Sequence, residues 1–408
     1  MNGVLVAVVV ALIAAFAAIG ILVGEEEAAA PREPLEDVSA RVSEIARDVE
    51  RVRELKFERM PRLRLVSPEE ATRDSLREVD HYVSRRRQQI EEGLLVMLGL
   101  LPPDVRLRQI LGEALTEEVA GYYLPRTDTM ALIRGAGFGA LASEVTLAHE
   151  LTHALEHQNF DIEPEEETFF TEDRGVGLTA LREGSATVAK VDYVALTRGA
   201  GGDLPEELRA QVLEEFERIG LPASTGLPRY VRESLVFPYA AGGRFVHRIQ
   251  SRGGWLAVDR AFEDDPPLSS EQIMHPRKYE VGEGPVGVRL RGVRAALPSG
   301  ARVVARGDLG EFDTAQFLRD ANGRRRSEQA AAGWGGSALE LWRLPGGRDV
   351  LVLGWAWDTP RDAAEFEAAA ELSVDRLGGA GAVDGGNEGV VTVVLAPRAS
   401  LARRVARR

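Results

Sequence analysis

Two histidines four residues apart, inside a stretch that is otherwise almost uncharged, constrain this chain more than any other feature. The motif is His149-Glu150-Leu151-Thr152-His153, within residues 145–155 (VTLAHELTHAL). In an α-helix, positions four apart lie ~40° apart on one face and about one turn along the axis, so both imidazoles reach one ion. The glutamate between them is set to act on a water at that ion. Apart from Glu150 the residues from 146 to 155 carry no acidic or basic side chain other than the two histidines, which predicts a buried helix.

The rest of the ligand set is bounded by composition. The chain has 408 residues, no cysteine and six histidines. Disulfides, thiolate metal sites, iron–sulfur clusters and cysteine nucleophiles are excluded, so a transition metal here takes histidine and carboxylate ligands. A third protein ligand is needed that leaves one position open. His157 is close in sequence, but ligands at i, i+4 and i+8 span ~12 Å of straight helix, too far for one ion. The metzincin pattern needs Gly at 156 and His at 159, where this chain has Glu156 and Asn159. The better candidate is Glu183, on a second predicted helix over 178–196. Gly184 and Ala186 beside it are small and would let that helix approach the His149 helix closely.

Residues 3–23 are uninterrupted apolar sequence, ~30 Å as a helix and so the thickness of a bilayer core. That length favours a retained membrane anchor over a signal cleaved near Ala28-Ala29-Ala30. No basic residue stands directly at the exit of the run, where Glu25, Glu26 and Glu27 follow, so the body is expected outside the cytoplasm, on a single-pass anchor or secreted. The formal net charge of −14 argues against a nucleic-acid partner. The reading divides the chain into an anchor or signal at 1–24, a linker at 25–34, an amphipathic helix or stalk at 35–60, a main domain at 61–285 and a C-terminal α/β module at 286–408.

Leu35, Val38, Val42, Ile45, Val49 and Val52 recur at spacings of three and four, a helical seam. It predicts a helix packed on its own domain; the second reading is a short stalk that pairs two copies through residues 35–55. A strand is expected at 62–66, a helix capped by Ser67 and running to 100, another from Asp104 to 118, and a β-hairpin from 119–124 and 129–133. Further helices are expected after Ser143 and over 205–219 and 242–250. Glycines 135, 137 and 139 lack dinucleotide-loop spacing. In the last third, strands are expected at 338–343, 350–357 and 390–395, a helix at 362–377, and a frayed arginine-rich end. Four of the five tryptophans lie there and are read as core.

These motifs together resemble the gluzincin metallopeptidases over roughly residues 119–190. The E-G-x-A context of Glu183 and the E-Q-I-M-H-P run at 271–276 are similar to a bacterial family of anchored or secreted HExxH proteins. The resemblance implies zinc held by His149, His153 and Glu183, with Glu150 as general base. Gluzincins also use a downstream His or Tyr to stabilise the oxyanion, for which His275 and Tyr239 are the candidates. Asp161 and Asp192 are candidates to orient the ligand imidazoles. The hairpin offers an edge strand to an extended peptide, which would put Tyr122 and Tyr123 near a cleft. The expected fold is α+β: a mainly helical, zincin-like domain with a small antiparallel sheet, an α/β module and an N-terminal transmembrane helix. The expected function is anchored, zinc-dependent hydrolysis of a peptide or protein substrate. The alternatives are an envelope binding or scaffold protein with a structural zinc, and hydrolysis of a cell-wall amide.

Overall fold

The computed structural model describes residues 35–108, 121–134, 141–160, 172–197, 226–378, 380–386 and 389–408. The apolar run, the linker, most of the helix expected from Asp104, the glycines at 135–139, Asp161 and the helix expected at 205–219 lie outside these residues. Among the described residues, no helix is long and apolar enough to cross a membrane.

The first part of the chain runs through α1 (Leu35–Arg53), β1 (Arg62–Val66), α2 (Pro68–Tyr82), α3 (Arg85–Met97), β2 (Gly121–Leu124), β3 (Thr129–Ile133), α4 (Leu141–Phe160), α5 (Glu172–Thr197) and α6 (Arg229–Glu263). Ser67 caps α2 with a reciprocal pair of bonds: its hydroxyl accepts the Glu70 N–H, and the Glu70 carboxylate accepts its own N–H. Ser143, expected as the cap, lies inside α4, which already begins at Leu141. The sheet is mixed, not antiparallel throughout. Strand β3 lies in the centre, antiparallel to β2 and parallel to β1. Two helices and β2 intervene between β1 and β3, which is ample chain for the crossover that parallel pairing requires.

The seam of α1 faces inward. Val38, Val42, Ile45 and Val49 are at most 1% exposed and pack with Leu147, Ala148, Leu151 and Leu155 of α4. Those four positions are buried within the chain, in keeping with the first reading of the seam, a helix packed on its own domain. Arg53 then pins the end of α1. Its guanidinium is fully buried, 2.8 Å from both Glu156 of α4 and Asp259 of α6, and lies over the Trp255 ring at 4.3 Å. A buried guanidinium needs such partners, since an unpaired charge here would be costly.

Helix α5 lies between α4 and α6. Successive helical residues point 100° apart, so adjacent positions serve different neighbours. Gly184 meets α6, where a Cβ would stand 2.3 Å from the Gly242 backbone; a Cβ on Gly242 would stand 2.0 Å from the Ala180 carbonyl oxygen. The next residue, Ser185, instead hydrogen-bonds Glu156 of α4. The small residue beside Glu183 therefore admits α6 and not, as expected from sequence, the histidine helix. Helix α6 is longer than expected and irregular. It contains Pro238, which cannot donate to the Ser234 carbonyl, and breaks at Gly254, whose φ of 66° suits glycine.

After α6 come the short helices α7 (Ser270–Met274), α8 (Pro276–Glu280) and α9 (Val293–Ala296), then β4 (Arg302–Gly307), α10 (Glu311–Asn322), α11 (Arg324–Ala331), β5 (Trp334–Arg343), β6 (Asp349–Trp357), α12 (Pro360–Arg376), β7 (Ala380–Asp384), β8 (Val390–Ala396) and α13 (Ala399–Ala406). The strands form one antiparallel sheet in the order β4-β5-β6-β8-β7. Strand alternation splits its side chains between two faces. Leu351, Leu353 and Trp355 pack with Phe317, Phe366 and Ala370, while Val350 and Val352 pack with Val293, Leu401 and Val405. The arginine-rich end is thus not frayed: Leu401, Ala402, Val405 and Ala406 anchor α13 on the sheet. Trp334, Trp342 and Trp355 are core, as read from sequence.

The module does not hang free. Its first apolar face shares a core with Val66, Leu94, Tyr230 and Tyr239 of the preceding part. The Tyr230 hydroxyl donates to Asp313 at 2.8 Å, Phe237 and Phe312 have ring centroids 4.3 Å apart, and the Phe312 N–H donates to Ser270. Glu91 is buried in the same region, and burial pushes its carboxyl up to about 8, with the Asp313 charge adding to the effect.

Two predictions follow from this packing. Gly242→Ala should destabilise the protein by about 1–3 kcal/mol, because the added methyl meets backbone that cannot swing aside; urea denaturation measures it. For Glu91, the folded pKa is above the unfolded one, so its protonated form is retained in the native state across pH 4.5 to 8. The stability this permits is full below pH 4.5 and is lost as pH rises through 8. Glu91→Gln should therefore melt higher than wild type at pH 9 and nearly with it at pH 5; equal differences at both pH values would contradict this.

Candidate metal centre

Helix α4 is held on all sides. Leu147, Ala148, Leu151, Ala154 and Leu155 are fully buried, which fixes its rotation and directs His149 and His153 toward α5. There the His149 Nε2 lies 3.2 Å from Glu183 Oε2, the His153 Nε2 lies 3.4 Å from the same oxygen, and the two Nε2 atoms are 3.1 Å apart. The rings stand perpendicular. His149 and Glu183 are buried, and His153 keeps 12% of its side chain exposed. Among the described residues, these three are the group whose donor atoms are placed to hold a metal ion, all within 4.8 Å of one another.

The donors fit a small first-row cation. Two imidazole nitrogens and one carboxylate oxygen suit zinc and leave a fourth position open. Donors ~2.0–2.1 Å from a tetrahedral ion stand roughly 3.3 Å apart, which matches the separations of 3.1–3.4 Å. Two ring nitrogens this close repel unless a proton or a cation lies between them.

Charge at the site is strongly coupled. Burial pushes His149 down to about 4, against the hydrogen bond it makes to the Glu183 carboxylate, so its ring is neutral at neutral pH. Burial would lower His153 too, but the Glu183 charge and hydrogen bond, with Glu150 beyond, carry it above its ordinary value. Burial would raise Glu183, but His153 and His149 hold it well below the usual carboxylate range. Glu150 is 3% exposed, and burial pushes it up to about 7; the His153 charge and a backbone N–H offset part of that rise. The N–H is that of Tyr123 on β2, donating to Glu150 Oε2 at 3.0 Å. Glu150 Oε1 has no hydrogen-bond partner among the described residues.

Of the two oxyanion candidates, the structure brings only Tyr239 to the cluster. Its ring stacks on His149 with centroids 5.8 Å apart. Its hydroxyl is raised far above its ordinary value by burial, then by the charge of Glu183 and a hydrogen bond to it. His275 is placed elsewhere: it caps α7 and contacts Glu311 of α10 at 2.9 Å, and its charged neighbours are Glu311, Glu271 and Lys278. The polar run that singled it out builds the junction with the C-terminal module. Asp192 accepts from Gln250 at 3.5 Å. Tyr122 is buried and donates to Asp74 at 3.0 Å. Tyr123 contributes through its backbone, while its hydroxyl bonds Asp128 at 2.9 Å and His157 at 3.1 Å. His157 thus links the hairpin to α4, and the group of possible metal donors is His149, His153 and Glu183.

Lys190 was not anticipated. It is 3% exposed and lies seven residues after Glu183, on the same face of α5. Burial pushes its ammonium down to about 8 against the opposing pull of Glu183 and Glu150. The signal was present in the i, i+7 spacing, but a lone lysine on an apolar helix carries no signature by itself.

A family profile described as Domain of unknown function (DUF8575) matches residues 297–408. The match falls on the C-terminal module, outside the metal cluster. No curated protein and no solved structure matches the chain.

Proposed function

We propose that this protein is a zinc-dependent hydrolase of peptide bonds. The observation that carries the reading is the convergence of His149, His153 and Glu183 in a buried site with Glu150 and Tyr239 beside them. The ion would supply Lewis-acid polarisation of the scissile carbonyl and lower the pKa of water. Glu150 takes the proton of the attacking water through Oε1, its other oxygen being held by Tyr123 N–H. It later passes that proton to the leaving amine. The Tyr239 hydroxyl donates to the oxygen on which negative charge develops. Exchanging its hydrogen bond to Glu183 for one to the substrate is the change this role asks of it. The edge position of β2, beside Glu150, suits an extended peptide.

The apolar run at 3–23 supports anchoring in a membrane with the body on the extracytoplasmic side. The depth of burial of His149, Glu150 and Glu183 favours a second reading, a structural metal in an envelope scaffold without turnover.

Metal analysis and hydrolysis assays separate the two. Wild type should hold one zinc per chain, and Glu183→Ala should lose it; stoichiometric zinc in that variant would place the third ligand elsewhere. Glu150→Gln should keep the zinc and lose hydrolysis of a casein-type substrate by a factor of ~10²–10⁴. Tyr239→Phe should keep both zinc and KM while kcat falls ~10²-fold. Zinc-loaded wild type that cleaves no peptide or protein substrate supports the scaffold.

A further inference from the structure

The C-terminal module carries a surface of one sign that the metal centre does not use. The chain as a whole is acidic, with about one Asp or Glu in every six residues. Two segments depart from this completely. Residues 284–307 and 389–408 contain no acidic residue, and each contains five arginines. They are distant in sequence, and the fold lays them together. Val293, Ala296 and Leu297 share an apolar cluster with Leu401, Ala402, Val405 and Ala406. The Arg404 Nε donates to the Ala296 carbonyl at 3.0 Å, and Arg408 abuts Gly292.

The packing sorts the side chains. The apolar residues of α13 face the sheet, which turns its arginines outward. Arg289, Arg291, Arg294, Arg398, Arg403, Arg404, Arg407 and Arg408 are all exposed. Among the described residues, none of the eight has an ion-pair partner, although Arg41, Arg53, Arg64, Arg108, Arg229, Arg343 and others do. Arg294 lies over Trp342 at 5.8 Å, which holds the guanidinium without neutralising it. A body of net charge −14 thus has one face where positive charge meets no carboxylate partner among the described residues.

We propose that this face docks on a bilayer surface bearing anionic phospholipid. Charge alone would fit any polyanion, and two observations select the membrane. The apolar side of α13 is spent on its own sheet, so attachment works through charge at a surface and not by insertion. The same chain carries a 21-residue apolar run of bilayer-spanning length, followed by a short stretch before α1; on the anchoring proposed above, on which this inference rests, that run keeps the body near a membrane. An acidic body close to an anionic leaflet is repelled except where a basic face turns toward it, so the patch sets the orientation of the body.

The absence of cysteine makes the test simple, since one introduced thiol is the sole labelling site. Full-length Ser400→Cys, labelled on α13, is reconstituted in vesicles carrying a headgroup-attached energy acceptor. Glu371→Cys, on α12 against the opposite face of the sheet, is the control. Transfer from position 400 should be at least about twofold higher in vesicles with 30% phosphatidylserine than in pure phosphatidylcholine. The excess should vanish near 1 M salt, where screening shortens to ~3 Å. It should also vanish when Arg291, Arg403 and Arg407 are each replaced by Glu, with zinc content and circular dichroism as checks of folding. The salt titration of the labelled wild-type surface needs no charge variant, so a misfolded triple variant does not rescue or sink the idea. Equal transfer in both vesicle types overturns the proposal. So does salt-sensitive binding of a duplex DNA fragment without any vesicle response, which would assign the face to nucleic acid.

Discussion

The close approach of α5 to two neighbours at once is the constraint on which the structure turns. Ala180 and Gly184 let α6 press backbone against backbone, and Ser185 meets α4 through Glu156. Between these contacts stands Glu183, whose carboxylate reaches both histidines of α4 and the tyrosine of α6. A glutamate on a helix set even a side-chain width further out could not do this. The site is therefore a product of helix spacing, and the spacing is a product of residues with almost no side chain.

Burial gives these groups their chemistry. A carboxylate, two imidazoles, a second carboxylate and an ammonium lie together where water is nearly excluded. Each charged form is disfavoured alone and made tolerable by its neighbours, which is why His149 and Glu150 are pushed in opposite directions from their ordinary values. Perturbed groups of both kinds meeting at one cluster is the pattern expected of a working site. Lys190 belongs to the same balance, facing Glu183 and Glu150 from the next turns of α5.

Much of this was legible in the sequence for identifiable reasons. The spacing of His149 and His153 specifies a shared helical face whatever surrounds it, and the seam of α1 specifies burial. Ser67 announced its capping box, and strands β1, β6 and β8 followed from alternation or dense β-branching. What could not be read was three-dimensional pairing. Nothing local to Gly184 says which helix it admits, since consecutive helical positions face different neighbours. Nothing local to His275 says that its partner is Glu311, 36 residues on. The end at 398–408 read as frayed because it is short and five of its eleven residues are arginine, whereas Leu401, Ala402, Val405 and Ala406 decide its fate. His275 was the first candidate and Tyr239 the second until helix packing carried Tyr239 to the histidines and His275 to the domain junction.

That junction bears on how the site is held. The first turns of α6 bond to α10 through Tyr230 and Asp313, and Phe237 lies on Phe312. Two residues after Phe237 comes Tyr239, stacked on His149. Pro238 between them weakens the helix at this point, since one backbone bond is missing. A locally weakened helix holds a buried tyrosine in place only if something outside the helix helps; α5 presses on it at Gly242, and the N-terminal turn of α10 packs at Phe237. The C-terminal module is in this sense part of the wall behind the His149–His153–Glu183 cluster. Its other face, covered by α13 and carrying the exposed arginines, is left to meet whatever lies outside.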